Sequence, residues 1–505
     1  MHSKRRFLPL LSLAALLLVS GCGGSDGPDT SKPDSTASIS DKSPVSVLPG
    51  GAPVVVTAAI GPDSTQGKAA LTFAEKIDPS NRDLSAELLK SFNESFDNVA
   101  VNYDADIKPW LGETGAVEID SFDRDFSGVL AVQSTDTGKA QAFLDKGDQQ
   151  SKSAKKTYAG ANYAVDPDSG AADGLIGDFV VVASDEDHFK AAVDASKSGS
   201  VADDAKYKTA IGRLSDGDNL AVAYVDVDSL LTDLVKNGQL PQTTLDTFKK
   251  SPNYAAGETV AVSADVTDSA VTIESAGATG EIKSLAGAGD VGDLPGAAWL
   301  AMSVPVDGAS LAPGFAQALV NAGSDPSVAQ ALDSFGVTDF VKALKGLSIR
   351  VGGDALTSIN GSVKILADDE TATKKVFDTV VQQAQTAAAG QIQINVSGST
   401  ATASAGPYSV KLTADGEGLS LALGKEPDTK LSDEDSFKSA SDALDGETPL
   451  LFMDFAPLAA LVKTIPNQNA SDQQAQAVLD GLGTLILGSE VDGDVGRARF
   501  ILTLK

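Results

Sequence analysis

Past the first fifty residues, apolar positions follow two rhythms. Short runs rich in β-branched residues, such as 54–60 (VVVTAAI) and 179–182 (FVVV), are bounded by Gly, Pro, Asp and Ser and read as buried strands. Elsewhere the apolar positions step by three and four. Leu84, Leu88, Leu89, Phe92 and Phe96 line one face of a helix over 82–97, and Val376, Phe377, Val380 and Val381 do so over 370–387. Residues 184–199 read as a further helix behind the strand at 179–182. Runs joined by short polar turns, 259–264 with 270–274 and 408–412 with 419–423, predict antiparallel hairpins. The expected class is therefore α+β, with mainly antiparallel sheets covered by amphipathic helices.

The pattern occurs twice. Leu48-Pro49-Gly50 before the strand at 54–60 returns as Leu294-Pro295-Gly296 at the head of an apolar run through Trp299 to Pro305. Tyr207-Lys208-Thr209-Ala210, followed by a strand ending at Asp226, returns as Phe437-Lys438-Ser439-Ala440 and a strand ending at Asp454. The second copy is shorter between these landmarks by about the length of 184–199, and no helical pattern follows the strand at 419–423. The chain is expected to hold two similar tandem modules, 48–279 and 294–505, joined by a Gly-rich linker at 280–293.

The first 47 residues have a different character. Lys4, Arg5 and Arg6 precede an apolar run at 7–19 that is short for a membrane span, which is the pattern of a secretory signal over 1–21. The run ends in Val19-Ser20-Gly21-Cys22, which resembles the lipobox of bacterial lipoproteins: an aliphatic residue, two small residues and the cysteine that receives the lipid. By that resemblance the mature chain starts at a lipidated Cys22, held in a cell membrane with its body on the extracytoplasmic side. Each buried methylene contributes ~0.8 kcal/mol, so two or more acyl chains anchor stably. Residues 22–47 are rich in Ser, Asp, Pro and Gly and read as a disordered tether.

Composition narrows the chemistry. The 505 residues carry 39 Lys and Arg against 69 Asp and Glu, a net charge of −30, which opposes binding to nucleic acid. The single Cys is the lipidation candidate, and of the two His residues only His188 lies beyond the signal, so disulfides, a thiol nucleophile and a multi-histidine metal centre are not expected. His188 follows Asp185, Glu186 and Asp187 and reads as part of an acidic helix start.

Several motif lookalikes fail in detail. Gly61 to Ala69 has five residues between its glycines instead of four, Ala69 where a magnesium-binding hydroxyl belongs, and Asp63 where phosphates would sit, so no nucleotide is expected. Gly287, Gly289 and Gly292 match a dinucleotide fingerprint but fall in the linker. Asn102, Asp104, Asp106 and Glu113 occupy calcium-loop positions, with Ile107 where the sharp turn needs Gly and Pro109 stiffening the middle. Ser153 and Lys156 have the S-x-x-K spacing without its companion motifs. The one G-x-S-x-G, at 23–27, lies in the tether. Trp110 and Trp299 sit in apolar contexts that suit a core. No catalytic, cofactor or metal residue is assigned.

From 48 onward the chain resembles an uncharacterised family of exported bacterial proteins, a domain of unknown function, and the resemblance implies no activity. The expected function is that of a lipid-anchored, non-enzymatic envelope protein with a binding or scaffolding role. A carrier of an apolar ligand or lipid is the first alternative, because Ala- and Val-rich one-sided sheets leave room on their inner face. A transporter-linked solute receptor is the second. Expected partners are the membrane, through the anchor, and an apolar ligand or another envelope protein.

Overall fold

The structure is a computed structural model. It describes residues 43–61, 63–77, 102–122, 127–250, 257–278, 290–309, 311–312, 335–355, 358–388, 392–405, 408–465 and 470–505. The expected signal segment, Cys22, most of the expected tether, the helix expected over 82–97 and residues 280–289 of the expected linker lie outside the described residues. The described chain is α+β, and its strands pair antiparallel. It forms two units: residues 1–283 with 491–498 and 503–505, and residues 284–490 with 499–502. The C-terminal strand, Val495–Leu504, thus contributes residues to both.

In the first unit the strands are β1 (Val54–Ala59), β2 (Leu111–Ser121), β3 (Ser127–Ser134), β4 (Ala154–Tyr158), β5 (Ala161–Val165), β6 (Ala172–Ile176), β7 (Phe179–Ala183), β8 (Ala221–Asp226), β9 (Thr259–Val266) and β10 (Ala270–Ala278). They lie in the order β4-β5-β6-β7-β3-β2-β1-β8-β9-β10. The helices are α1 (Thr65–Ile77), α2 (Thr137–Ser151), α3 (Glu186–Ala195), α4 (Ala205–Ile211), α5 (Val227–Lys236) and α6 (Gln242–Phe248).

Both faces of this sheet are covered. On one, Val55, Val129 and Val181 pack with Phe189 of α3 and Tyr207 of α4. On the other, Val117, Leu130 and Val180 pack with Trp110 and with Leu144 of α2. A strand buried on both faces has no reason to alternate, which is why β7 reads as a continuous apolar run. Trp110 is core, as its context suggests, and its indole N–H donates to the Asp106 carbonyl at 2.7 Å. Residues 44–47, assigned to the tether by composition, instead form a 3-10 turn whose Val45 and Val47 join the first of these cores. Two valines and a proline there plug one end of that core.

In the second unit the strands are β11 (Ala298–Pro305), β12 (Leu344–Gly352), β13 (Asn360–Ala367), β14 (Ile394–Ser397), β15 (Thr400–Ala405), β16 (Tyr408–Asp415), β17 (Gly418–Leu423), β18 (Thr448–Asp454) and β19 (Leu482–Asp492). Their order is β14-β15-β16-β17-β13-β12-β11-β18-β19. The helices are α7 (Val337–Lys342), α8 (Glu370–Ala388), α9 (Asp435–Asp442), α10 (Phe455–Lys463) and α11 (Ala470–Gly481). The stripe expected on α8 buries Val376, Phe377 and Val381, whereas Val380 is 43% exposed because the helix turns that position past the edge of its sheet contact.

The echoes in the sequence have matching geometry. The Val201 N–H donates to Leu48 O at 2.9 Å in the first unit, and the Leu431 N–H donates to Leu294 O at 2.8 Å in the second. Tyr207 meets Tyr224 edge-on at 5.4 Å, and Phe437 meets Phe452 edge-on at 5.2 Å. Asp226 caps α5 by accepting from the Ser229 N–H, and Asp454 caps α10 by accepting from Ala456. Helix α3 follows β7, whereas residues 424–430 after β17 contain no helix.

Candidate functional site

The lookalike motifs are absorbed into local structure. The Asn102 side chain caps the turn Tyr103–Ile107 by accepting from the Ala105 N–H at 3.0 Å. Asp106 accepts from the Asn102 N–H at 2.9 Å and from Lys146 Nζ at 2.8 Å; burial works against its charge, yet these bonds hold its carboxyl below the usual range. Among the described residues no group of three His, Cys, Asp or Glu side chains could hold a metal ion. Ser64 Oγ donates to Gly61 O at 2.6 Å and accepts from the Gly67 N–H at 3.0 Å, an ordinary helix cap, and Lys68 faces solvent. Lys156 is ion-paired with Glu186, and Ser153 Oγ lies 2.6 Å from Ser151 Oγ.

His188 has neighbours that sequence spacing did not indicate. Asp185 caps α3, accepting from the Asp187 and His188 N–H groups at 2.9 Å, and its Oδ2 lies 2.8 Å from His188 Nδ1. On the other side of the ring, Nε2 lies 3.4 Å from Ser127 Oγ and 3.6 Å from Asp120 Oδ2. Glu118, two residues earlier on β2, is buried at 2% exposure, and burial followed by the Asp120 charge pushes its carboxyl up to about 8.

This acid–imidazole–serine series has the contacts of a hydrolytic triad and lacks its supports. Nε2 is shared between Ser127 and Asp120. Ser127 opens a strand instead of a strand-to-helix elbow. The next amide, Gly128 N–H, would be the natural oxyanion donor, and it is already engaged by Ser184 Oγ at 3.2 Å. The cluster therefore ties β2 and β3 to the start of α3.

The second unit holds a surface of another kind. Met302, Ile349, Val363, Leu421 and Leu412 are successive cross-strand partners through β11, β12, β13, β17 and β16, so they lie in one row on one face. Moving one residue along each strand gives the opposite face: Ser303, Ser348, Lys364, Ser420 and Thr413. One face is apolar and the other polar. Ser303 and Ser348 of that second row are buried and hydrogen-bonded to each other at 2.9 Å, while Lys364 farther along it is ion-paired with Glu417.

Among the described residues the apolar face is only partly covered. Phe377 and Val381 of α8 pack on Leu412, Ala414 and Leu419 at one end of the strands. Beyond that contact Leu421 is 47% exposed, and Leu423 and Val410 are exposed as well. A bare apolar patch on a folded unit marks a binding surface or an aggregation hazard. The alternation along β16 and β17 was readable in the sequence; how far α8 reaches across them was not.

The fold and these sites define an antiparallel α+β protein with one apolar sheet face partly open among the described residues. The chain belongs to the family described as "Protein of unknown function (DUF3352)", whose model matches residues 11–269. No curated protein matches the chain. Two solved structures are similar over part of it, crystal form III and crystal form I of TP0453. Each is 10% identical and the match covers 80% of that chain; the first covers 47% of this chain with a TM-score of 0.26, and the second 48% with 0.27.

Proposed function

We propose that this chain is a lipid-anchored, non-enzymatic protein of the cell envelope, built of two tandem modules, whose extracytoplasmic body binds an apolar ligand. The anchor rests on the basic and apolar leader and on Val19-Ser20-Gly21-Cys22. The binding role rests on one observation, the partly bare apolar row through Val363 and Leu421. Fully burying a Leu-sized side chain is worth ~2 kcal/mol, so covering the exposed part of several such residues supplies a few kcal/mol, enough to hold an acyl chain or a comparable hydrocarbon.

Native mass spectrometry of the lipidated protein, purified from its own membrane under mild conditions, tests the reading. The expected result is an excess mass over the acylated polypeptide that leaves on denaturation. A mass equal to the acylated polypeptide would set the apolar ligand aside and leave a scaffolding role toward another envelope protein. Cys22→Ala should release the protein from the membrane fraction, and unchanged fractionation would remove the anchor from the proposal.

A further inference from the structure

We propose that two copies of this chain pair edge to edge through the outer backbone of β14, whose Val396 side chain continues the cross-strand row of Leu412 and Leu421. Strand β14 pairs with β15 on one side and with no other described strand. It is joined to β15 by the two-residue turn Gly398-Ser399, so the ladder turns the N–H and C=O groups of Ile394 and Val396 away from β15. Val396 is 46% exposed. An edge of this kind is a template for another strand unless the protein guards it.

The first unit shows how this chain guards an edge. Its terminal strand β4 pairs only with β5 among the described strands and carries Lys155 and Lys156, ion-paired with Asp145 and Glu186. Strand β14 (INVS) has no lysine, no proline and no charge. The neutrality extends well beyond the strand. From 379 to 410 the sequence contains no Asp, Glu, Lys or Arg, in a chain whose residues are 21% charged and whose net charge is −30. Two such acidic bodies repel one another over most of their surfaces, and the surroundings of β14 form a zone where that repulsion is absent.

The occupant follows from the backbone. A hydrocarbon ligand or a bilayer offers the outward N–H and C=O groups no partner, and leaving them unpaired in an apolar medium costs several kcal/mol per group. A second β14 satisfies them. Antiparallel pairing about a two-fold axis at Asn395 sets Ile394 of each copy against Val396 of the other and places the two Asn395 side chains side by side. The contact is isologous and closes as a dimer.

The test uses the full mature protein in mild detergent, with its mass followed by light scattering across a dilution series. The wild type is expected to be a dimer that dissociates on dilution. Val396→Lys installs the guard found on β4 and should weaken the dimer ~tenfold or more. Leu421→Lys, on the apolar face and away from the edge, should leave the dimer intact while lowering ligand capture, which separates this proposal from the ligand reading. Circular dichroism checks that both variants fold. In Asn395→Cys the two new thiols should oxidise to an intermolecular disulfide. A wild type that stays monomeric at every soluble concentration, or a Val396→Lys dimer as tight as the wild type, overturns the proposal.

Discussion

Glu118 offers the sharpest quantitative test of the first unit. Its side chain leaves β2 between Val55 of β1 and Val129 of β3, its cross-strand neighbours, and both of these belong to the covered core. Burial, with a smaller contribution from Asp120, raises its pKa from 4.5 to about 8. A carboxyl raised in this way binds its proton more tightly in the folded state. Its contribution to stability is therefore complete below pH 4.5, falls as the unfolded carboxyl ionises, and is lost by about pH 8, where the folded group ionises too. At ~1.4 kcal/mol per pH unit, the interval corresponds to on the order of 5 kcal/mol.

Urea unfolding from pH 4.5 to 8.5 should show the midpoint of the wild type falling through this window relative to Glu118→Gln, which has the same shape and no proton to lose. The other titrating groups are common to both proteins and cancel in the difference. The carboxylates held low, such as Asp106 and Asp185, lose their contribution only as pH falls below the ordinary carboxylate range, outside this window. If the two proteins keep a constant difference across the whole range, Glu118 is not buried as an acid and the argument fails.

Three further outcomes are expected. Arg350, 1% exposed, donates to the Pro295, Gly296 and Ala297 carbonyls, at 2.6 Å for Gly296; Arg350→Met should cost ~3 kcal/mol or more by leaving those carbonyls unpaired, read as a lower calorimetric transition. Gly128 has φ +153°, and a Cβ there would lie 2.1 Å from the Glu118 carbonyl oxygen, so Gly128→Ala should cost more than ~3 kcal/mol in urea unfolding, and a near-neutral effect would mean that β2 and β3 do not approach as described. Leu421→Lys should abolish capture of an apolar dye while changing stability by less than ~0.5 kcal/mol, since the side chain is already half in water; retained capture would move the ligand off this face.

What the sequence made legible was the part written in short-range pattern. The hairpins β9–β10 and β16–β17 follow from apolar runs and turns, and α8 follows from its three- and four-residue steps. The missing helix after β17 was readable because a whole element leaves a gap in length. What escaped was set by contacts between distant residues. Ser127 and His188 are 61 positions apart and meet only because β3 and β7 pair and α3 follows directly. A lone Glu or Arg within a strand reads as a solvent-facing position, so Glu118 and Arg350 carried no sign of burial. Val45 and Val47 were lost among the serines of the tether.

Those two buried groups, Glu118 and Arg350, have similar places in the two units. Val55 faces Glu118 across β1 and β2, and Ala301 faces Arg350 across β11 and β12, each strand pair lying just after a Leu-Pro-Gly turn. On the reading of two tandem modules, one position holds opposite charges in the two copies, and each solution is local. Arg350 is satisfied by the carbonyls of its own turn, whereas Glu118 lies where its carboxyl favours the neutral form. The coverings diverge with them. The first unit is apolar on both faces of its sheet and closes both, with α3 on one side and α2 on the other. The second buries Ser303, Ser348 and Arg350 on one face of its sheet, and among the described residues α8 covers the other face at one end. A sheet sealed on both sides has little surface left to bind an apolar molecule. The capacity to do so falls to the second unit, where Leu421 and Leu423 stand beyond the reach of α8.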